Sequence, residues 1–392
     1  MKKIAYIGCL GLIGIITTEF GIIGILPQVA TYYRISINKA GILLSAFALV
    51  IALTGPFMTL LASGINRKKI MLAGMSIFLL TGIVSALAPP FWLLVVMRML
   101  PAFLQPVFIS SAIAAAVRHG DKKQEHQLMG IVLGGIAIAM VTTVPYATYL
   151  ASVYTWRTSF IVQAIVSALA LISIFSALPS MPVAEKKSYG TQLKILTRPD
   201  FLLSSAMNFL MIAAWFSTYS YFADYLGKVK QMSPQTISYM MLLFGVTGIL
   251  ANWLAGRMLG KSIPLTAAAF LLGTIFIPAA LYYAGNNSFA TMIVIAIWGF
   301  LYAPCFLNAA AYMISAAPDA MEFANTLAIS FGNLGVSAGT IVGGWVIANY
   351  GIAQAPWTGM AFGVASLLMI ALRSKLEAGA KKQVENHSFR HI

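Results

Sequence analysis

One of the ten acidic residues in the chain stands where an acid is costly. Glu19 lies in Gly14-Ile15-Ile16-Thr17-Thr18-Glu19-Phe20-Gly21, inside an apolar run from Ile4 to about Ala30. If that run is a helix crossing a lipid bilayer, a rise of about 1.5 Å per residue puts Glu19 roughly 22 Å along it and about 16 Å short of Ala30. An ionised carboxylate at such depth costs at least about 2.5–3.5 kcal/mol on insertion scales, so it must face protein and be neutral or partnered. Desolvation favours the protonated form of a carboxyl, and a nearby cation or water favours the ionised form. A group that alternates between those surroundings can take up a proton on one side of a membrane and release it on the other. The competing expectation is a neutral packing acid bonded to Thr17, Thr18 or a neighbouring helix. Gly11, Gly14, Thr18 and Gly21 form a small-residue stripe beside it, which suits close helix packing.

The other acids are placed less deeply. Asp121, Glu125, Glu185, Asp200, Asp319, Glu322, Glu377 and Glu385 fall in expected loops, helix ends or the tail. Asp224 falls near the end of the seventh apolar run, where water is expected to reach it. Arg98 is the one base expected inside a run, about 10 Å inward from Phe91. Two readings of it stay open. It is either a direct or water-linked partner that tunes Glu19, or a structural cation bonded to backbone carbonyls at a helix break near Pro101.

Aromatic side chains with a few polar groups are what a small-molecule lining needs. Asn208, Trp215, Tyr219 and Phe222 recur at helical spacing in the seventh run; Trp298, Tyr302, Cys305 and Tyr312 do so in the tenth, with Asn308 one step aside. Phe20 joins this candidate substrate-contact set. Packing or interfacial anchoring is the competing reading of every such stripe. Gly335-Val336-Ser337-Ala338-Gly339 fits G-x-S-x-G, but a nucleophile elbow needs a strand-to-helix turn and a nearby His. His119, His126, His387 and His391 all fall in loop or terminal segments, so small-residue helix packing is the expectation. No HExxH, P-loop or Cys/His metal cluster occurs, and neither an enzyme nor a cofactor or metal is expected.

These residues need a membrane to position them. The 392 residues are 60% hydrophobic and 9% charged, whereas soluble domains are about 45–50% apolar and about 25% charged. Apolar runs of about twenty residues, each enough for a bilayer crossing, start near Ile4, Lys39, Ile70, Phe91, Gln127, Thr158, Phe201, Pro234, Ile263, Phe289, Phe323 and Gln354. The spacing predicts twelve transmembrane helices. Pro89-Pro90, Ser233-Pro234, Gly285-Asn286-Asn287-Ser288 and Ala355-Pro356 mark boundaries. The first run continues past any signal-peptide length without a small-residue cleavage site and is read as a retained span.

The net charge of +15 is spread over short segments between runs, which fits membrane orientation better than nucleic acid. With both termini in the cytoplasm, nineteen Lys and Arg lie inside and five outside, namely Arg34, Lys39, Arg157, Lys228 and Lys230. The polar stretch 182–200 divides residues 1–181 from 201–373, with a tail over 374–392. The basic turn from Gly64 to Lys69 recurs as Gly256 to Lys261, and the Gly-rich fifth run recurs as the eleventh. Two six-helix repeats place a transport site near the midplane between them. Cys9 and Cys305 lie inside apolar runs, so no disulfide framework is expected.

Thr17-Thr18-Glu19-Phe20 followed by Gly24-Ile25-Leu26-Pro27, then Tyr219-Ser220-Tyr221-Phe222, then Ala317-Pro318-Asp319-Ala320 ahead of a Gly-rich run, give a family resemblance over nearly the whole chain. It resembles the major facilitator superfamily, and within it the bacterial drug:proton antiporters that include sugar-efflux, arabinose-efflux-like and purine-efflux pumps. The loop after the second run is similar to that superfamily's G-x-L-A-D-R-x-G-R-K signature, with Ser63 at the acidic position and Gly64 at the first Arg, leaving Arg67 and Lys68 as the basic pair. The usual charge latch between halves is therefore questionable here. Arg98 falls where the fourth-span motif has its Arg, implicated in the family in proton transfer, although Pro101 and Ala102 replace the common Gln-Gly. Val144-Pro145 is similar to the antiporter motif of span five, and Trp156-Arg157 with Phe160 fits the start of span six.

The resemblance implies an all-α fold of two pseudo-symmetric six-helix bundles, monomeric, in the bacterial inner membrane. It implies export of small organic molecules such as drugs, sugars or sugar-like compounds in exchange for protons. Glu19 and Arg98 would be the proton-coupling residues. Efflux of purine bases or nucleosides, uptake by symport and, last, a membrane sensor or enzyme are the alternatives.

Overall fold

A computed structural model describes residues 2–117, 122–183 and 190–388. All regular structure among them is helical, and 12 helices are long and apolar enough to cross a membrane. Spans 1 to 6 are Lys2–Tyr33, Ile37–Gly64, Arg67–Ala86, Phe91–Val117, Gln127–Val153 and Arg157–Ala177. Spans 7 to 12 are Pro199–Lys228, Pro234–Leu259, Ile263–Tyr283, Ser288–Ser315, Phe323–Tyr350 and Ile352–Gly379. Capping chemistry fixes several starts: Asn66 Oδ1 accepts from Lys68 N (3.0 Å), Ser233 Oγ from Thr236 N (3.2 Å), and Asn287 Oδ1 from Ala290 N (3.0 Å). Each satisfies an orphan donor of a first helical turn. The expectations for Arg118, His119, Asp121, Glu185, Lys186, Lys187, Arg390 and His391, and for part of the 182–200 stretch, lie outside the described residues.

Four spans carry two-residue breaks, and these repeat, whereas the single-residue interruptions at Thr142 of span 5 and Phe276 of span 9 do not pair. Span 1 is interrupted at Gly21–Ile22 and span 4 at Phe103–Leu104; span 7 is interrupted at 220–221 and span 10 at 303–304. The second pair follows the first by ~200 residues, the signature of a duplicated six-helix unit whose discontinuous helices converge on one site. Two of the motifs that carry the resemblance, Thr17–Phe20 and Tyr219–Phe222, are the residues at these breaks.

With an even number of spans both ends of the chain lie on one face, here called the basic face. The packing differs between the two faces. One continuous apolar core joins spans 1, 2 and 5 to spans 7, 8 and 10 toward the opposite face, from Ile22 and Leu26 to Phe222 and Trp298. Toward the basic face there are separate cores, one built on Phe47, Phe78 and Phe108, one on Phe201, Met313 and Phe323, and a small one on Ala251, Ala255 and Phe270. The halves are thus sealed together at the opposite face. Where spans 5 and 8 cross, a Cβ on Gly245 would come within 2.8 Å of the Met140 carbonyl, so only glycine permits that approach.

Tertiary contacts revise two expectations. Asp224 is 3% exposed rather than reached by water, and Lys228 Nζ pairs with it at 2.9 Å. It lines a cavity of about 180 Å³ between the halves with Gln28, Thr148, Ser152 and Lys228. Arg373, counted among the nineteen basic residues on the cytoplasmic side at the end of the second bundle, is 6% exposed and donates to Ser204 Oγ (2.9 Å), Tyr312 O (2.7 Å) and Ser315 Oγ (3.0 Å). It ties spans 7, 10 and 12 together.

Other expectations are met. Gly335 to Gly339 sit inside the span 11 helix, where a Cβ on Gly339 would lie 2.6 Å from Ala213 O of span 7, which is packing and not an elbow. Cys9 and Cys305 are free and buried. At the basic face Arg198 pairs with Asp200 (2.9 Å) and Asp319 (3.2 Å), and its hydrogen bond to Asp200 raises the guanidinium pKa above its ordinary value.

Candidate functional site

Glu19 is the next-to-last residue of the first helical segment of span 1 and is 4% exposed. Its carboxyl has a partner that the sequence did not single out: Gln105 Nε2 donates to Glu19 Oε2 at 2.7 Å. Gln105 is the first residue after the break in span 4 and is 5% exposed. Its Oε1 is buried and has no hydrogen-bond partner. Thr17 and Thr18, the other partners considered for Glu19, turn away: Thr18 Oγ1 donates to Gly14 O (3.0 Å), and Thr17 Oγ1 lies 2.5 Å from Thr143 Oγ1 of span 5.

Arg98 resolves the two readings left open for it. Its Nε donates to Leu43 O (3.3 Å), one terminal nitrogen to Thr18 O, and the other to Glu19 O (3.0 Å). Phe47 lies under the guanidinium at 4.9 Å. The side chain therefore binds backbone carbonyls of spans 1 and 2 and makes no ion pair with the Glu19 carboxyl. The carbonyls of Thr18 and Glu19 stand at the break in span 1 and need a donor, and a planar guanidinium can supply both while also reaching Leu43 O. Arg98 nonetheless holds its positive charge against the Glu19 main chain.

Phe20 points across the interface. Its ring stacks on Phe216 of span 7 with centroids 5.6 Å apart. Phe216 in turn meets Tyr219 (6.2 Å) and Phe306 (6.1 Å), and Trp215 meets Tyr302 (6.3 Å) and Phe306 (5.4 Å). Phe222 packs on Trp298 (5.4 Å). Thus Phe20, Trp215, Tyr219, Phe222, Trp298 and Tyr302 form one aromatic cluster at the breaks of spans 7 and 10. Phe306 belongs to it and is 37% exposed, so one edge of the cluster is accessible.

The two candidate amides are placed differently. Asn208 has both amide hydrogens committed, to Met313 Sδ (2.9 Å) and Ala328 O (3.0 Å), and packs spans 7, 10 and 11 about two turns from Trp215. Asn308 is fully buried with neither amide atom bonded, and the Trp215 indole N–H and Tyr312 hydroxyl also lack partners. Buried polar groups are ordinarily satisfied, so these mark places where a ligand or water belongs.

The conformational motifs lie within the first half. Lys68 Nζ donates to Phe175 O (2.9 Å), Arg67 N to Met181 O (3.1 Å) and Asn66 Nδ2 to Ser180 Oγ (2.8 Å). The worn basic loop is fastened to the end of span 6. Val144 is buried, and Val144-Pro145 follows the kink at Thr142 that lets span 5 reach span 8, where Tyr149 meets Tyr239 at 6.2 Å.

Gln105 left a faint trace in the sequence, an amide within an apolar run four residues after Pro101. Arg373 pairs locally with Glu377 (2.7 Å), but its other partners come from spans 7 and 10, which its neighbours in sequence do not reveal.

Comparisons with known proteins agree with this architecture. The family model described as Major Facilitator Superfamily matches residues 8–335. The inner membrane transport protein YdhP of Escherichia coli K12 is 30% identical over 372 residues, covering 93% of this chain and 94% of its own. A probable sugar efflux transporter of Helicobacter pylori is 26% identical over 355 residues, covering 90% of both. Among solved structures, the nucleoside transporter NupG superposes with a TM-score of 0.75 at 13% identity, covering 96% of this chain and 99% of its own. The human organic anion transporter MFSD10 superposes at 0.67 and 14% identity, covering 94% and 98%. At such identities the two structures speak for the fold alone. Twelve apolar spans, paired breaks and a match over most of the chain converge: this protein belongs to the Major Facilitator Superfamily and is a membrane transporter, not an enzyme.

Proposed function

We propose that this transporter exports a small organic molecule, sugar-like in character, in exchange for protons. The observation that carries the reading is Glu19, a carboxyl buried at the break of span 1, held by a neutral amide and backed by the charge of Arg98. It needs no permanent counter-ion, so it can be charged in one conformation and neutral in another. The open aromatic cluster of spans 7 and 10, with Trp215 and Asn308 offering unused polar atoms, supplies the substrate contacts. Flat aromatic faces beside hydrogen-bonding groups suit a hydroxylated ring, in keeping with relatives named as sugar efflux transporters.

In this reading the basic face is cytoplasmic, the membrane is the bacterial inner membrane and the protein works as a monomer. Residues 1–181 and 201–373 rock as two units about the Phe20–Phe216 contact, joined by 182–200, with 374–392 as a tail. Bringing one proton inward gains about 2.3 kcal/mol per 100 mV, enough to move a neutral solute roughly fifty-fold uphill.

A counterflow screen in proteoliposomes with an imposed pH gradient tests the proposal. Gradient-driven sugar efflux is the expected result, lost in Glu19→Gln. Proton-driven transport that survives this substitution at the wild-type rate and pH profile would sink it.

A further inference from the structure

The orphaned oxygen of Gln105 has an explanation that begins with the amide itself. A glutamine amide carries two donors on Nε2 and an acceptor in Oε1, whereas a carboxyl is acceptor-only when ionised and gains a donor when protonated. In the structure Nε2 donates to Glu19 Oε2, an arrangement that serves a carboxylate oxygen, and Oε1 is left buried without a partner. Protonation of Glu19 adds an O–H that needs an acceptor, and when the proton sits on the oxygen facing Gln105 the buried, unused Oε1 is the acceptor at hand. Rotation of the terminal amide by a half turn presents Oε1 to the same carboxyl and gives the new donor its acceptor.

We propose that Gln105 is a positioning residue that follows the protonation state of Glu19, donating through Nε2 to the carboxylate and accepting through Oε1 from the acid. The inference rests on the reading of Glu19 as the proton site.

The surroundings leave the task to Gln105. The charged group facing this region is Arg98 of span 4, whose three nitrogens each donate to a carbonyl, Leu43 O, Thr18 O or Glu19 O. Spans 2, 5, 6 and 7 present Leu43, Thr143, Gln163 and Phe216 beside residues 17–21, and none of these side chains titrates. Gln105 also begins a helical segment directly after the break at Phe103–Leu104. A change in its side chain is thereby applied at the point where span 4 is already discontinuous. Proton uptake at Glu19 would reach the second segment of span 4 through this one bond.

The sign of the effect follows from bond strength. A hydrogen bond to an ionised group is roughly twice as strong as a neutral one. Removing the amide therefore weakens the ionised form of Glu19 more than the protonated form. The midpoint of Glu19 protonation moves upward in Gln105→Leu by about one pH unit, a tenfold change in proton affinity.

Infrared difference spectroscopy on the purified full-length protein in lipid nanodiscs, titrated with pH, reads this without a known substrate. Glu19→Gln assigns the protonated-carboxyl band, and isotope-labelled glutamine, compared with Gln105→Leu, assigns the amide band. The expected result is an upward midpoint shift in Gln105→Leu, together with a Gln105 carbonyl band in the wild type that changes in step with Glu19. Gln105→Asn, too short to reach, gives the same shift and stands in if the leucine variant does not fold. An unmoved midpoint or a silent amide band overturns the role of Gln105 while leaving Glu19 as proton site. Absence of any titrating band that Glu19→Gln removes overturns both.

Discussion

The breaks of spans 1 and 4 and those of spans 7 and 10 are the same device filled with different chemistry. In the first half the break exposes backbone carbonyls to Arg98 and sets a carboxyl against an amide. In the second half Ser220 Oγ lies 2.7 Å from Thr340 Oγ1, and the Tyr221 hydroxyl donates to Thr340 O at 2.9 Å, so span 11 satisfies the break with neutral groups. The space around it is filled by aromatic rings. Under the proposed function the duplicated scaffold divides the labour, with Glu19 at one pair of breaks and the ring-stacking surface at the other. Among the described residues, the stack of Phe20 on Phe216 joins the two sets.

Breaking each side separately gives the largest contrast. Glu19→Gln is expected to abolish pH-driven accumulation while leaving substrate binding within about twofold, as an amide keeps the shape of the site. Trp215→Ala is expected to do the reverse, weakening binding at least tenfold, about 1.4 kcal/mol or more, because it removes a large ring and an N–H from the open cluster. Binding by calorimetry and flux in proteoliposomes separate the two. Equal loss of binding in both variants would show that the halves are not specialised.

Arg98 comes next, and its effect should be on folding before coupling. Arg98→Met leaves three buried carbonyl acceptors without their donor and is expected to destabilise the protein by about 3 kcal/mol or more. Lysine, with a compact ammonium in place of a planar fork, rescues only part of this. Thermal unfolding in detergent reports it. A melting temperature equal to wild type would contradict the carbonyl-binding role.

Phe216→Ala should be milder still. Loss of the stack with Phe20 is worth about 0.5–1.5 kcal/mol beyond area, and because it lies between the two sites its signature is slippage. Substrate would leak down its gradient without a matching proton flux, measured as a changed proton-to-substrate ratio. A ratio unchanged from wild type would remove Phe20–Phe216 as the link.

Legibility in the sequence follows the range of the interaction. Twelve spans could be read because hydropathy is a local property, and every predicted start falls within three residues of an observed one. Glu19 could be read because a lone acid in an apolar run is costly wherever it sits. Its partner could not be read, because an amide in a helix bears no such penalty and nothing local says which neighbour it faces. Arg98 at the right depth invited an ion pair. Only the three-dimensional arrangement shows that each of its three nitrogens donates to the backbone of span 1 or span 2. Asp224 failed for the same reason: the cavity that buries it is walled by spans 1, 5 and 8.

The smallest contrast tests the duplication itself, away from both sites. In the first half Tyr33, at the end of span 1, donates its hydroxyl to Pro89 O (2.5 Å) beyond span 3. At the equivalent place in the second half Lys230, after span 7, donates to Leu281 O (2.6 Å) and Gly285 O (2.6 Å) at the end of span 9. The same two corners are thus tied in each repeat, once by a neutral hydroxyl and once by an ammonium whose burial lowers its pKa. A charged donor at a helix C-terminus gains from the unpaired carbonyls and their dipole, up to about 2 kcal/mol when partly buried, whereas a neutral hydrogen bond contributes about 1 kcal/mol. Lys230→Met should therefore lower the melting temperature more than Tyr33→Phe, and neither should change the pH dependence of transport. Because burial lowers the Lys230 pKa, the unfolded chain binds this proton more tightly than the fold does, so the stability linked to Lys230 rises with pH through that alkaline range, and Lys230→Met should remove the rise. Equal destabilisation by the two variants at every pH would mean that the second repeat gains nothing from exchanging a hydroxyl for a charge.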